Sequence, residues 1–386
     1  MMIKKSLPLI FLLFSICTFS QKIIKKTIVS DFVDSKRTIR IYLPEGYDET
    51  KEKNYPLAIV LDAEYLFDAY VGNAVLFASK DKAPKQIVVG IEMEKTRKID
   101  TYFNLNEEKL TTNNEKFYQF IKNEVIFDIE SNYKTSPFIS IIGDGTSASL
   151  ITNFLREGKP FINSYICINP TFSDFIGNKL QSFNLGRYQN EDNTFYFYTN
   201  NSNSFSDEKQ IKIGEVQSAL TGLEIKNFNV INDTINTSSS ISAMSEAIPR
   251  ALDKTFEIYS AISKEEFDTK VKDLSPIDAI AYLENKYLEI EFLFGTNLGI
   301  RERDIYAVEK IIIEKENGDQ LLNFGKMILK LFPTSPLGDY YLGRYYEKGN
   351  DIRKALKYYK IGYGKMDPAD PNADAFYENI LRIGGR

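Results

Sequence analysis

The chain has 386 residues, 43% of them hydrophobic and 26% charged, with a formal net charge of −5 and neither histidine nor tryptophan. That apolar and aromatic content supports a real core and excludes a disordered or fibrous chain, and the length leaves room for two domains. The acidic balance argues against nucleic acid as a partner, and the absence of imidazole removes the side chain best suited to proton transfer near neutral pH.

Residues 1–20 read as a secretory signal peptide. Lys4 and Lys5 form a positive start, Leu7 to Phe14 is almost unbroken apolar sequence, and Cys17 to Ser20 precede Gln21, which predicts cleavage after Ser20. The run falls short of the ~20 apolar residues that span a bilayer. Ile16 stands where lipidation at Cys17 would want a small residue, and no later stretch is apolar enough to cross a membrane. Removing the leader takes away Lys4 and Lys5 and no acid, so the charge passes from −5 to −7. The remaining Cys167 has no cysteine to pair with. Its setting, Tyr165-Ile166-Cys167-Ile168, predicts a small buried hydrophobe rather than a reactive thiol.

Residues 21–261 alternate between short β-branched or aromatic runs and longer helical patterns. Lys36–Leu43 reads as a strand, as do 56–61, 86–91, 138–142, 165–168, 194–198 and 227–231. Apolar runs without alternation suit strands buried on both faces, and the stretches 113–131, 146–157, 207–220 and 241–261 read as the helices that cover them. The fold class expected is α/β, a doubly wound, mostly parallel sheet, with the strands before Tyr47 forming an antiparallel edge. From 262 to 386 the strands stop. Ser275-Pro276 reads as a helix start, and the stretches 301–314, 320–332, 337–348 and 352–363 read as further helices. The segment 339–363 resembles a tetratricopeptide repeat: Gly343 lets two helices approach, Gly349-Asn350 turns the chain, Ala355 packs back and Pro368 closes the unit.

Six segments together resemble a known family. They are Arg37-Thr38-Ile39-Arg40-Ile41-Tyr42-Leu43-Pro44-Glu45-Gly46-Tyr47, Tyr55-Pro56, Leu61-Asp62-Ala63-Glu64-Tyr65-Leu66-Phe67, Val88-Val89-Gly90-Ile91, and the run from Ile129 through Tyr133-Lys134-Thr135 to Phe138, followed by the Gly143 segment. Their order and spacing resemble the putative esterase family of α/β-hydrolases, which includes esterase D and enterochelin-esterase-like proteins. Secreted Bacteroidetes members of it carry a similar helical tail. The resemblance implies an α/β-hydrolase sheet, an ester substrate and a Ser-His-acid triad.

The chain departs from that pattern at the triad. Where the family reads Gly-His-Ser-x-Gly-Gly at its nucleophile elbow, this chain reads Gly143-Asp144-Gly145-Thr146-Ser147-Ala148. Gly145 stands at the nucleophile position and has no Oγ to attack a carbonyl. Where the family reads Asp-x-x-His-x-Ser, this chain reads Asp233-Thr234-Ile235-Asn236-Thr237-Ser238, so an amide, Asn236, replaces the general base. Asp207 is the nearest acid after the strand that would carry the third member. The resemblance places oxyanion donors on backbone amides near Ala63 and Glu64 and after residue 145. Losing nucleophile or base costs about four to six orders of magnitude in turnover.

Ser147 and Thr146 read as cap or packing residues of the following helix. Asp144 reads most simply as a turn residue satisfying its own backbone, with a place facing the old pocket as the other reading. The residues offer no cofactor or metal site, since no phosphate-cradling loop, calcium loop or histidine cluster is present. Three functions stay open: a non-catalytic esterase relative with a small-molecule ligand in the former cleft and a protein partner on its helical tail; an ester hydrolase with atypical groups; and a structural component of the cell envelope, periplasmic or secreted.

Overall fold

Apolar runs buried on both faces build the centre of the molecule. The computed structural model describes residues 22–48, 53–102, 111–174, 176–295, 298–367, 369–370 and 372–384; the leader at 1–20 and Pro368 lie outside them. Eight strands, β1 (Lys22–Ser30), β2 (Ser35–Leu43), β3 (Tyr55–Val60), β4 (Ile87–Ile91), β5 (Thr135–Asp144), β6 (Ser164–Ile168), β7 (Phe195–Ser202) and β8 (Phe228–Ile235), form one sheet. Their order is β1-β2-β4-β3-β5-β6-β7-β8. The pairs β1/β2 and β2/β4 are antiparallel and the rest parallel, as the sequence pattern predicts. Every residue of β3, β4 and β6 is buried, which matches their unbroken apolar character and the helices on either face.

Some elements differ from the sequence reading. The helix Leu66–Ser79 escapes periodicity because it is apolar nearly all round: Leu66, Phe67, Tyr70, Val71 and Ala74 are buried while Leu76 is exposed. Strand β7 continues past Tyr198 to Ser202, because pairing with β8 satisfies the backbone of Thr199, Asn200 and Asn201 although their side chains are polar. The helical stretch after Thr111 contains a wider π turn at Ile121–Ile126, and the one after Gly145 tightens into a 3₁₀ turn at Thr152–Arg156.

The helical region opens where Ser275 caps the helix Pro276–Phe294, its Oγ accepting from the Asp278 N–H at 3.2 Å. Helices Glu302–Glu316, Leu321–Leu331, Pro336–Lys348, Ile352–Tyr363 and Ala373–Gly384 follow; the sequence reading did not include the last. Gly343 is needed for packing, since a Cβ there would stand 2.5 Å from the Tyr359 ring. Ala355 is fully buried.

The helix Pro276–Phe294 belongs to both halves of the molecule. Ala279, Leu283 and Tyr287 pack within the helical core, while Ile290, Leu293 and Phe294 pack within the core of the sheet domain. The Phe294 ring lies 5.0 Å from Phe138 and 5.4 Å from Phe256, both near edge-on, and Ser136 Oγ donates to the Leu293 carbonyl at 3.4 Å.

Candidate functional site at the bend after strand β5

Strand β5 ends at Asp144 and the helix Thr146–Ile151 begins at once, so a single residue, Gly145, must reverse the chain. Its backbone lies at φ 61° and ψ −116°, a strained conformation that residues other than glycine rarely adopt. The bend is tied on both sides: the Gly145 N–H donates to the Ile168 carbonyl at 3.0 Å, and its own carbonyl accepts from the Thr171 N–H at 2.9 Å. Gly143 is equally constrained, because a Cβ there would meet Ser147 Oγ at 2.7 Å. The sharp strand-to-helix turn expected of a nucleophile elbow is therefore present, with glycine at its apex.

Beneath the bend lies a polar cluster that sequence reasoning did not find. Asp62, fully buried and at φ 54°, follows β3 and reaches under the turn. Arg97 Nε donates to Asp62 Oδ1 at 2.7 Å, and Arg97 Nη2 donates to the Asp144 carbonyl at 2.8 Å and to Asp62 Oδ2 at 3.4 Å. Ser147 Oγ donates to Asp62 Oδ2 at 2.5 Å and accepts from the Asp144 N–H at 2.9 Å. The Asp62 side chain is 1% exposed and that of Arg97 32%, so one end of the guanidinium is buried on a carboxylate and the other faces out. Asp62 lies in the family-like segment Leu61-Asp62-Ala63, which is its sequence signal; Arg97 lies in a short helical turn with no motif around it.

Ser147 is thus a buried tie between two strand ends; it does not cap the helix. Thr146 shares a hydrogen bond with Thr101 at 2.8 Å. Asp144 does not satisfy its own backbone, contrary to the plain turn reading, because Ser147 takes its N–H. Its Oδ2 accepts from the Tyr65 hydroxyl at 3.1 Å, while its buried Oδ1 has no hydrogen-bond partner among the described residues. Burial pushes the Asp144 carboxyl above the ordinary range; the Tyr65 hydrogen bond opposes this, the Asp62 charge adds to it, and Lys209 and Arg97 oppose it. Lys209, in the helix Asp207–Thr221, donates to the Asn169 carbonyl at 2.7 Å and lies 4.4 Å from the centre of the Phe205 ring. Burial lowers its ammonium pKa, against a raising effect from Asp144.

The other expected site residues do not converge there. Asn236 is exposed just past β8, and Asp207 is exposed in the first turn of its helix. The Ala63 N–H, expected as an oxyanion donor, is spent on the Ile91 carbonyl at 3.1 Å. The Glu64 carboxylate folds onto the amides of Met93 and Glu94 at 2.5 and 2.6 Å. Near the C-terminal end of β7, Asn200 is buried; its Oδ1 accepts from the Asn169 N–H at 2.7 Å and its Nδ2 donates to Asn169 Oδ1 at 2.9 Å. A separate cleft of about 830 Å³ opens on the β8 side of the sheet, lined by the starts of β7 and β8 and by residues of the helical region, among them the ion pair of Lys286 and Glu266 at 2.8 Å.

Residues 30–161 match the family described as Putative esterase. The fold is similar to that of an uncharacterised protein from Capnocytophaga ochracea, at 24% identity and a TM-score of 0.80, over 95% of this chain and 100% of that one. It is also similar to an IroE-like serine hydrolase from Shewanella oneidensis, at 18% identity and a TM-score of 0.58, over 80% and 98% of the two chains. The BES protein from Bacillus cereus matches at 14% identity and a TM-score of 0.53, over 66% and 99%. A search of curated proteins found no match. Residues 30–161 thus carry a likeness to the putative esterase family, on an α/β fold similar to that of these structures, with a helical region following on the C-terminal side.

Proposed function

We propose that this is an exported α/β-hydrolase-fold protein that has given up Ser-His ester chemistry and uses the bend after β5 for binding. One observation carries the reading. The residue at the apex of the bend is glycine, and the group facing its missing side chain is the Arg97 guanidinium, 3.5 Å from where a Cβ would stand. A guanidinium stays protonated and cannot serve as a base. Ser147, two residues past the apex, is fully buried and donates its hydroxyl to Asp62. With no histidine in the chain, the bend holds neither a nucleophile nor an imidazole to activate one.

The test is hydrolysis of p-nitrophenyl acetate and butyrate by the chain lacking residues 1–20, with fluorophosphonate labelling alongside. No turnover above buffer and no labelling are expected. Saturable turnover would sink the reading.

A second reading, an ester hydrolase with atypical groups, draws on Lys209, whose amine is shifted toward neutrality beside the bend. It requires turnover that disappears in Lys209→Met. Export is tested by mass spectrometry of the protein made in a secreting host, which should begin at Gln21. The helical region is where we place a protein partner, and an envelope fraction cross-linked in vivo should contain it bound through residues 276–384.

A further inference from the structure

Resting on the binding reading above, we propose that the space over Gly145 is a subsite for a carboxylate: a small organic monoanion whose oxygens take the place of the missing side chain between Arg97 and Thr171. Two donors flank the point where a Cβ would stand, Arg97 Nη2 at 3.5 Å and Thr171 Oγ1 at 3.8 Å. An oxygen within about 1 Å of that point comes into hydrogen-bonding reach of both.

The Arg97 guanidinium and the backbone that carries the Thr171 hydroxyl are held before any ligand arrives. Arg97 is held by Asp62 and the Asp144 carbonyl, and its Nη2 keeps one hydrogen loosely engaged, at 3.4 Å from Asp62 Oδ2. Thr171 is tied through its N–H to Gly145, its carbonyl accepts from Ser149 Oγ, and its own hydroxyl enters no hydrogen bond among the described residues. Preorganised donors lose little entropy when a ligand binds.

The charge balance selects the ligand. Asp62 neutralises Arg97, and Lys209 stands near enough to Asp144 for each to shift the other's titration. The four groups sum to zero with Asp144 ionised and to +1 with it protonated. A singly charged carboxylate therefore leaves less excess negative charge beside Asp62 and Asp144 than a dianion does, whichever form Asp144 takes. A neutral ester presents oxygens without the charge that strengthens hydrogen bonds to a guanidinium. Gly145, Thr146 and Thr171 are all half-buried, so the site is open to a small molecule.

The test is calorimetric titration of the chain lacking residues 1–20 with acetate, butyrate and benzoate, then with their methyl esters and with inorganic phosphate. Saturable binding of at least one carboxylate, at least tenfold tighter than its methyl ester and than phosphate, is expected. Thr171→Val should weaken it about tenfold, the loss expected for one hydrogen bond to a charged group. Gly145→Ala should weaken it further by filling the space with a methyl group, and Arg97→Met should abolish it. Should Arg97→Met fail to fold because Asp62 is left buried alone, the Thr171 and Gly145 variants decide the matter, with circular dichroism confirming their fold. No carboxylate binding, equal binding of the methyl ester or of phosphate, or binding unchanged in both Thr171→Val and Gly145→Ala would overturn the subsite. Ester turnover in the same samples would instead sink the binding reading itself, so the two failures are distinguishable.

Discussion

Replacing Ser147 with alanine separates a structural hydroxyl from a catalytic one. In the native chain Ser147 Oγ donates to Asp62 Oδ2 at 2.5 Å, with the Asp144 carbonyl as a second acceptor at 2.9 Å, and accepts from the Asp144 N–H at 2.9 Å. Alanine removes these bonds and leaves two buried groups short of a partner. A hydrogen bond to a charged group contributes about 1.5–3 kcal/mol, and an unsatisfied buried N–H costs about 1–3 kcal/mol. Arg97 Nε keeps its grip on Asp62 Oδ1, which softens the loss. The expected net effect is about 3 kcal/mol of destabilisation. Thr146→Ala, at a half-buried hydroxyl shared with Thr101, should cost about 1 kcal/mol or less. Urea unfolding followed by far-ultraviolet circular dichroism measures both, and tyrosine fluorescence serves as a second probe because the chain has no tryptophan. A Ser147→Ala effect below about 0.5 kcal/mol would refute the account of the tie beneath the bend. An ester activity present in the parent and lost in Ser147→Ala would refute it differently, by making the hydroxyl a nucleophile.

Gly145→Ser restores a hydroxyl at the apex but forces a side chain into φ 61°, which costs about 1–3 kcal/mol; with no imidazole in the chain, neither p-nitrophenyl butyrate turnover nor fluorophosphonate labelling should appear. Asp144 has a folded-state pKa raised chiefly by burial, so the folded chain binds its proton more readily than the unfolded one, and stability is lost as pH rises from about 4 through the raised value. Asp144→Asn removes that loss: its melting temperature should exceed the parent's at pH 7, and the difference should vanish below pH ~4; a lower melting temperature at pH 7 would contradict the sign. Gly343→Ala places a methyl group 2.5 Å from the Tyr359 ring and should destabilise the helical region by about 1–3 kcal/mol, read by hydrogen exchange in Pro336–Lys348 and Ile352–Tyr363.

The sheet was legible because its strands are buried on both faces and therefore written as unbroken apolar runs. The runs ending at Leu61, Ile91 and Ile168 mark β3, β4 and β6 closely. Helix Leu66–Ser79 was not legible, for it carries apolar residues around most of its circumference and offers no periodic contrast. The bend was legible as a segment, since Gly143-Asp144-Gly145 fits only a sharp turn. What surrounds it was not. Asp62, Arg97 and Ser147 are brought together from three places in the chain, and polar residues at such separations carry no local signature of their pairing. Asp144 shows a related limit: local chemistry predicts that its carboxylate serves its own turn, and Ser147, itself held by the distant Asp62, takes the Asp144 N–H instead.

The helix Pro276–Phe294 makes the two halves of this protein mechanically inseparable. Cutting the chain near residue 262 would strip Phe294 from its place against Phe138 and Phe256, and the sheet domain would then present aromatic rings to solvent. The truncated fragment should aggregate on expression, and the intact chain should melt in one transition. A ligand held at the bend would then raise the melting point of the distant helices as much as that of the strands that touch it.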